Sequence, residues 1–286
     1  MKSGTIALIG RPNVGKSTLV NTIIGQKVAI TSPKPQTTRF PIYGLYQEDR
    51  GQIVFIDLPG IFHRAKDLVA KKVNKATLDE IQKDIDIFLY IVDPSRKREF
   101  EEGKVLGIVR KLEKPVILVM NKADLDLPYL VQYEFMKDEF DQVFKISALK
   151  HTHIAPLLDT LFELLPEGEA QYDRKDYVYP ALNLDSKTFI SELIREKVFL
   201  QTHKEIPYTT TVIVDEIKER DNGSLYVSAR ILTTDPTYKK MIIGTAGAKI
   251  KVLGSMSRRE LEMATNKHVY LDLIVEVDKH WMQTMN

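Results

Sequence analysis

A chain of 286 residues with 43% hydrophobic and 28% charged residues has room for two folded domains, and its balance is that of a globular protein rather than a disordered tail or a fibre. A net charge of +2 confines any nucleic-acid surface to a local patch, and the lack of cysteine excludes disulfides, thiolate metal sites and cysteine nucleophiles. No apolar run approaches the roughly 20 residues of a membrane span, and the first strand-like run follows Met1 to Gly4 too closely for a signal peptide, so a cytoplasmic protein is expected.

The first predicted strand, Thr5 to Ile9, runs into Gly10-Arg11-Pro12-Asn13-Val14-Gly15-Lys16-Ser17 and then into the helix-like run from Thr18 to Gly25. Glycine, four residues, glycine, lysine and serine between a strand and a helix is the P-loop pattern. Gly10 and Gly15 let the backbone turn tightly and aim successive N–H groups at a phosphate, while the helix that starts near Lys16 points its positive end at the same place. Lys16 supplies a mobile ammonium for the outer phosphates, and the Ser17 hydroxyl can ligate Mg2+. The stretch therefore binds a nucleoside triphosphate.

Up to about Pro166, short β-branched runs alternate with amphipathic stretches, with further strands predicted at Ile42 to Gln47, Gln52 to Asp57, Asp86 to Asp93, Pro115 to Asn121 and Gln142 to Ile146. Nearly continuous apolar runs such as Val116 to Met120 call for cover on both faces, so the class is α/β, a doubly wound and mostly parallel sheet with ligands at the carboxyl ends of its strands. The polar, proline-containing segment Thr31 to Arg39 reads as a loop facing the phosphates, in which Thr38, favoured over Thr37, can close on Mg2+. Asp57-Leu58-Pro59-Gly60-Ile61 follows a strand end; Asp57 can hold the Mg2+ shell through water, and the Gly60 N–H can meet the γ-phosphate. Asn121-Lys122-Ala123-Asp124 decides the base, because guanine offers N1–H and its 2-amino group to one carboxylate whereas adenine does not, so Asp124 selects guanine. Asn121 either bonds the O6/N7 edge or ties the loops together, and the Lys122 stem can lie over the base. The backbone of Ser147-Ala148-Leu149 closes the set.

These five elements resemble those of a translation-factor-type GTPase, and Gly-Arg-Pro-Asn-Val-Gly-Lys-Ser with Gln36-Thr37-Thr38-Arg39 is similar to the Era group of bacterial ribosome-associated GTPases. The resemblance implies Thr38 as the loop threonine on Mg2+, and a hydrophobic residue, here Ile61, in place of a water-orienting glutamine. Lys16, Thr38 and Gly60 are thereby assigned to catalysis. His151 stands where relatives usually carry a glycine.

The polar segment 167–180 reads as a linker, and 181–286 as a second, smaller α+β domain. Phe189, Leu193, Ile194 and Val198 recur at helix spacing; two strands, Thr209 to Ile217 and Leu225 to Leu232, meet at the hairpin signal Asp221-Asn222-Gly223-Ser224. A helix, the turn Gly244-Thr245-Ala246-Gly247, a further helix-like run and a strand from His268 to Val277 follow. That order resembles a type II KH domain, a module that clamps single-stranded nucleotides against its GxxG loop. Because Thr245-Ala246 carries no base, phosphate attraction falls to Lys249 and Lys251. The resemblance implies a GTPase that uses Mg2+, binds the 3′ region of the small-subunit ribosomal RNA and assists 30S assembly, as a monomer with peripheral membrane association. It also implies that contacts made by a C-terminal helix beyond Trp281 are absent or altered. The alternative is an assembly factor that binds GTP and RNA but scarcely hydrolyses GTP.

Overall fold

The structure, a computed structural model, describes residues 1–32, 34, 37–61, 68–172 and 186–284. The chain divides into two compact units, Met1–Leu182 and Asn183–Asn286.

In the first unit the apolar runs form β1 (Lys2–Ile9), β3 (Gly51–Asp57), β4 (Ile87–Val92), β5 (Val116–Met120) and β6 (Gln142–Lys145), with β2 (Ile42–Glu48) at one edge. Their order is β2-β3-β1-β4-β5-β6, and only the β2–β3 pair is antiparallel. Every residue of β3 and β4 is buried, as a sheet covered on both faces requires. The cover comes from α1 (Lys16–Ile24), α2 (Leu68–Ile81), α3 (Phe100–Val109) and α4 (Ile154–Leu164). Because β1 lies between β3 and β4, its carboxyl end opens where the order of connections reverses, the place for a ligand in such a sheet.

The first residues of the expected linker are tied to this unit. Gly168 donates its N–H to the Met1 carbonyl at 2.8 Å, and Tyr172 donates its own to the Gln52 side chain at 3.0 Å. A polar composition alone does not distinguish such an edge contact from a tether, and residues 173–180 of that segment lie outside the described residues.

The second unit runs α5 (Ser186–Gln201), β7 (Thr210–Glu219), β8 (Leu225–Thr233), α6 (Pro236–Ile243), α7 (Ala248–Thr265), β9 (Val269–Val277) and a short α8 (Trp281–Thr284). β7 and β8 form the expected hairpin, with Gly223 at φ 77° in its turn, while β8 and β9 are parallel and need α6 and α7 as their crossover. The predicted face of α5 is the buried one: Phe189, Leu193, Ile194 and Val198 are all within the core. Trp281 closes it at the far end, its Nε1 donating to the Thr209 carbonyl at 3.2 Å.

A buried polar knot holds the loop after β1 in place. The Arg11 side chain is enclosed, its Nε 3.0 Å from Glu102 Oε2 on α3, and it donates to the Lys97 carbonyl at 3.0 Å and to the Tyr133 hydroxyl at 3.0 Å. Tyr90 donates to the other Glu102 oxygen at 2.6 Å. Burial pushes the Glu102 carboxyl up, and the Tyr90 hydrogen bond and the Arg11 charge oppose that shift. Removing one partner of such a pair leaves the other charged and unpaired, which costs about 3–5 kcal/mol. Glu102→Ala is therefore expected to lower the unfolding free energy, measured by urea titration followed by circular dichroism, by an amount in that range; an unchanged value would show that the knot does not stabilise the fold.

Candidate functional site

The helix α1 begins directly after Gly15, whose φ of 100° is one that L side chains rarely adopt and whose added Cβ would stand 2.2 Å from Asn121 Nδ2. The carbonyls of the loop are held from outside. Lys16 Nζ donates to Gly10 O at 3.2 Å and Arg11 O at 3.1 Å, Arg96 Nη1 to Pro12 O at 3.1 Å, Lys122 Nζ to Asn13 O at 2.9 Å and Asn121 Nδ2 to Val14 O at 2.8 Å. With its carbonyls engaged behind it, the loop presents the N–H groups of its non-proline residues to the other side, a concavity for phosphate. Two of the residues expected at the ligand contribute only backbone there: the Arg11 side chain turns into the knot with Glu102, and Val14 is buried in the core.

Three oxygens meet beside Lys16. Ser17 Oγ lies 2.5 Å from Asp57 Oδ2, and Thr38 Oγ1 lies 3.2 Å from Ser17 Oγ and 3.5 Å from the same carboxylate oxygen. Thr37 is not part of this group, since its hydroxyl donates to the Lys34 carbonyl at 2.7 Å. Asp57 Oδ1 is buried with no hydrogen-bond partner among the described residues. Two hydroxyls and a carboxylate with an unused lone pair suit a hard cation that completes its shell with water and phosphate, as Mg2+ does. Consistent with that mode, no cluster of three or more metal-binding His, Cys, Asp or Glu side chains occurs among the described residues. Burial pushes the Asp57 carboxyl up to about 6, against the pull of Lys16, Ser17 and Thr38, and pushes the Lys16 ammonium down to about 8. A cation beside the first and a phosphate beside the second each favour the charged form.

Leu58 and Ile61, expected near the ligand, point into the core and are 0% and 1% exposed. Ile61 keeps a backbone link to the loop, its N–H donating to the Gly10 carbonyl at 3.4 Å. Pro59 accepts from the Thr77 hydroxyl at 3.3 Å, and Thr18 lies within α1. Gln36 and residues 62–67 lie outside the described residues.

Asn121 is bonded to two neighbouring loops. Its amide reaches the Val14 carbonyl and its Oδ1 accepts the Ala148 N–H at 3.0 Å, so it ties the loops together. Lys122 is anchored at its tip by the Asn13 carbonyl at 2.9 Å and by Asp93 Oδ2 at 2.6 Å, which fixes the direction of its stem. Asp124 is exposed; Ser147 Oγ holds its Oδ1 and leaves Oδ2 for a ligand. Leu149 is 67% exposed. His151, at φ 56°, and His153, at φ 57°, both adopt the left-handed backbone that a glycine takes without strain, so the loop keeps that geometry despite the side chain at 151.

In the second unit the turn between α6 and α7 is left-handed at Gly244, Ala246 and Gly247, with φ of 76°, 48° and 76°. A Cβ on Gly244 would come 2.7 Å from Lys249 Cβ, so the chain doubles back onto the lysine that follows it. A groove of about 380 Å3 opens between α7 and β9, floored by Ile250, Gly254, Leu271 and Leu273, with Lys251 and Arg258 beside it and Asp272 in its wall. Sequence spacing marks the lysines; the groove depends on β9 lying against α7. The one local signal is Ile250, Gly254 and Arg258 at intervals of four along α7, which share a face.

A P-loop with a magnesium-type oxygen cluster and the exposed Asp124 of its Asn-Lys-Ala-Asp segment, joined to a helix–GxxG–helix module, defines a GTPase with an RNA-binding domain of the KH class. The family described as 50S ribosome-binding GTPase matches residues 5–122, and the KH domain family matches residues 205–282. The chain is 40% identical over 285 residues to GTPase Era of Halothermothrix orenii, covering 99% of this chain and 95% of that one, and 41% identical over 293 residues to GTPase Era of Lactobacillus delbrueckii subsp. bulgaricus, covering 99% and 93%. A crystal structure of an Aquifex aeolicus Era variant bound to GDP and aluminium fluoride superposes with a TM-score of 0.90 at 32% identity, over 99% of this chain and 96% of that one. An Era structure in complex with MgGDPNP and nucleotides 1506–1542 of 16S ribosomal RNA matches with the same score, identity and coverage. This chain belongs to the Era family of GTPases.

The close approach at Gly15 makes a direct test of the loop. Gly15→Ala is expected to abolish binding of fluorescent GDP while the thermal midpoint changes by no more than about 1–2 kcal/mol equivalent, because the strain is confined to one turn. Retained GDP affinity in that variant would show that the loop does not cradle the phosphates.

Proposed function

We propose that this chain binds GTP with Mg2+ in its first unit, hydrolyses it, and binds the single-stranded 3′ region of the small-subunit ribosomal RNA with its second unit, to assist assembly of the 30S subunit in the cytoplasm. The observation that carries the reading is the meeting of Thr38, Ser17 and Asp57: a loop threonine, the P-loop serine and a strand-end aspartate within hydrogen-bond reach of one another. When bound, Mg2+ supplies charge neutralisation at the β- and γ-phosphates. Ser17 and Thr38 ligate it, Asp57 holds its water shell, Lys16 neutralises the outer phosphates, and the N–H groups of the loop and of Gly60 orient them. The Era structure with MgGDPNP and 16S ribosomal RNA supports both halves of the proposal. The buried Ile61 side chain offers the attacking water no hydrogen bond and so favours slow intrinsic hydrolysis, the property of the GTP-binding assembly factor that is the second reading.

RNA lies across the left-handed turn at Gly244 to Gly247 and into the groove of α7 and β9, with Lys249 and Lys251 on its phosphates. Apolar groove walls suit the faces of unstacked bases.

Asp124→Asn is expected to weaken GTP binding by about 1–3 kcal/mol and to favour a xanthine nucleotide, whose O2 accepts from the amide. Calorimetry showing equal affinity of the unaltered chain for ATP and GTP would overturn the assignment. The two ligands are also expected to be linked. Because Thr38 senses the γ-phosphate through Mg2+, RNA affinity should differ by about 5–150-fold between the GTP-analogue and GDP forms, and RNA should change the ratio of analogue to GDP affinity by the same factor. Thr38→Ala should remove that difference while sparing GDP affinity; equal RNA dissociation constants in both nucleotide states of the unaltered chain, measured at one salt concentration, would mean that the two units are merely tethered.

A further inference from the structure

We propose that Gly254 sets the depth of the groove between α7 and β9, leaving the helix backbone bare so that one unpaired nucleobase of the RNA lies flat on it. The proposal rests on the RNA reading above and adds to it a residue that the ligand requires and the fold does not.

Gly254 lies well inside α7, which runs 18 residues from Ala248 to Thr265. Glycine is less favourable than alanine in a helix interior, because it loses more backbone freedom on folding. Two structural needs commonly outweigh that cost, and neither is present. A left-handed backbone is one: Gly244 and Gly247 have it, both at φ 76°, and Gly254 does not. Close packing is the other. A Cβ on Gly44 would stand 2.4 Å from Ile24 Cδ1, and one on Gly10 would stand 2.5 Å from the Ile91 carbonyl oxygen. A Cβ on Gly254 would meet nothing within 4 Å among the described residues beyond its own stretch of helix. Free space alone does not make a subsite, since Gly103 and Gly107 on α3 have it too. What distinguishes Gly254 is that its free space is the floor of a groove.

The helix carries two stripes. Leu253, Ser257 and Leu261, at intervals of four, are fully buried and face the core. Ile250, Gly254 and Arg258 form a second stripe about 100° further round, and all three line the groove together with Leu271 and Leu273 of β9. Gly254 is the central member of that second stripe. Any side chain there would project into the groove, whereas a hydrogen leaves a flat strip of backbone between the Ile250 and Arg258 side chains. A flat floor with apolar walls fits the face of an unstacked base better than a phosphate or a sugar. Lys251 and Arg258 beside the groove provide the charge for the phosphates that flank such a base.

Two variants of the full chain separate a role for the ligand from a role in the fold. Trp281 is the one tryptophan of the chain and is buried in the second unit, so its fluorescence follows the unfolding of that unit in urea. Gly254→Ala should leave that midpoint unchanged or raise it, because alanine is the better helix former and its methyl group meets free space. Affinity for a labelled single-stranded RNA of the small-subunit 3′ end should fall about 10-fold in Gly254→Ala and about 100-fold in Gly254→Leu. GDP affinity should not change in either variant. Replacing the nucleotides of that RNA one at a time by an abasic nucleotide should find a position whose base matters to the unaltered chain and no longer matters to Gly254→Leu. A lowered midpoint in Gly254→Ala would overturn the proposal by showing that the fold itself needs the glycine. RNA affinity in Gly254→Leu within about twofold of the original would overturn it as well, as would an abasic series in which no position is coupled to residue 254. Failure of the unaltered chain to bind this RNA would instead overturn the RNA reading on which the proposal rests.

Discussion

The structure depends on the way the loop after β1 is held by its carbonyls. From Gly10 to Gly15 each carbonyl has a donor: Lys16 for the first two, Arg96, Lys122 and Asn121 for the next three, and the Leu19 N–H, at 2.9 Å, for Gly15. A loop of this kind needs its N–H groups free and converging, and a peptide turns its N–H away from the side on which its carbonyl is held. The donors come from three places in the chain: α1, which follows β1, the segment after β4 and the segment after β5. Those are the carboxyl ends of neighbouring parallel strands, so the sheet order is what brings the donors to the loop. The fold and the phosphate cradle are for this reason one construction.

Much of this is legible in the sequence, and the part that is not has a common cause. Glycines and a lysine at the P-loop spacing define their own backbone, because the turn, the helix start and the ammonium are set within a few residues. Thr38 is legible because a loop hydroxyl facing phosphates has few other uses, and the structure indeed gives Thr37 a local carbonyl instead. Arg11 is not. Spacing puts it among the ligand residues, whereas the direction of its side chain is decided by Glu102 on α3, a contact across the fold with no local signature. Asn121 shows the same limit: its residue type allows both a base contact and a tie, and only the distances to Val14 and Ala148 reveal the tie. Edges are less legible than centres for a related reason. The polar residues 167–172 resemble a tether until their N–H groups are seen to reach Met1 and Gln52.

Burial sets the charge balance of the magnesium-type cluster. Asp57 and Lys16 are both buried, and burial disfavours the ionised form of each, which moves their proton affinities toward one another. A neutral pair would bind neither phosphate nor cation well. The short contact from Ser17 and the longer one from Thr38 partly restore the Asp57 charge, so the same hydroxyls that can ligate a cation also keep its acidic partner ionised in the meantime. Only Thr38 among these groups belongs to a loop between elements; Ser17 and Asp57 sit on α1 and β3. Thr38 is therefore the one member of the cluster whose backbone is not held by regular structure.

The second unit solves a comparable problem by different means. Where the P-loop has side chains from elsewhere to hold its carbonyls, the turn between α6 and α7 relies on its own dihedral angles: Gly244, Ala246 and Gly247 are left-handed, and Gly247 donates its N–H back to the Gly244 carbonyl at 3.2 Å. Glycine takes such angles freely, but Ala246 does so at a cost of about 1–2 kcal/mol. With Thr245 and Ala246 at its tip the turn contributes shape rather than charge, and charge enters from the first turn of α7 through Lys249 and Lys251. In the proposed RNA complex, attraction for the phosphate chain would lie with the lysines at the rim and the fit with the turn and the groove floored by Ile250, Leu271 and Leu273.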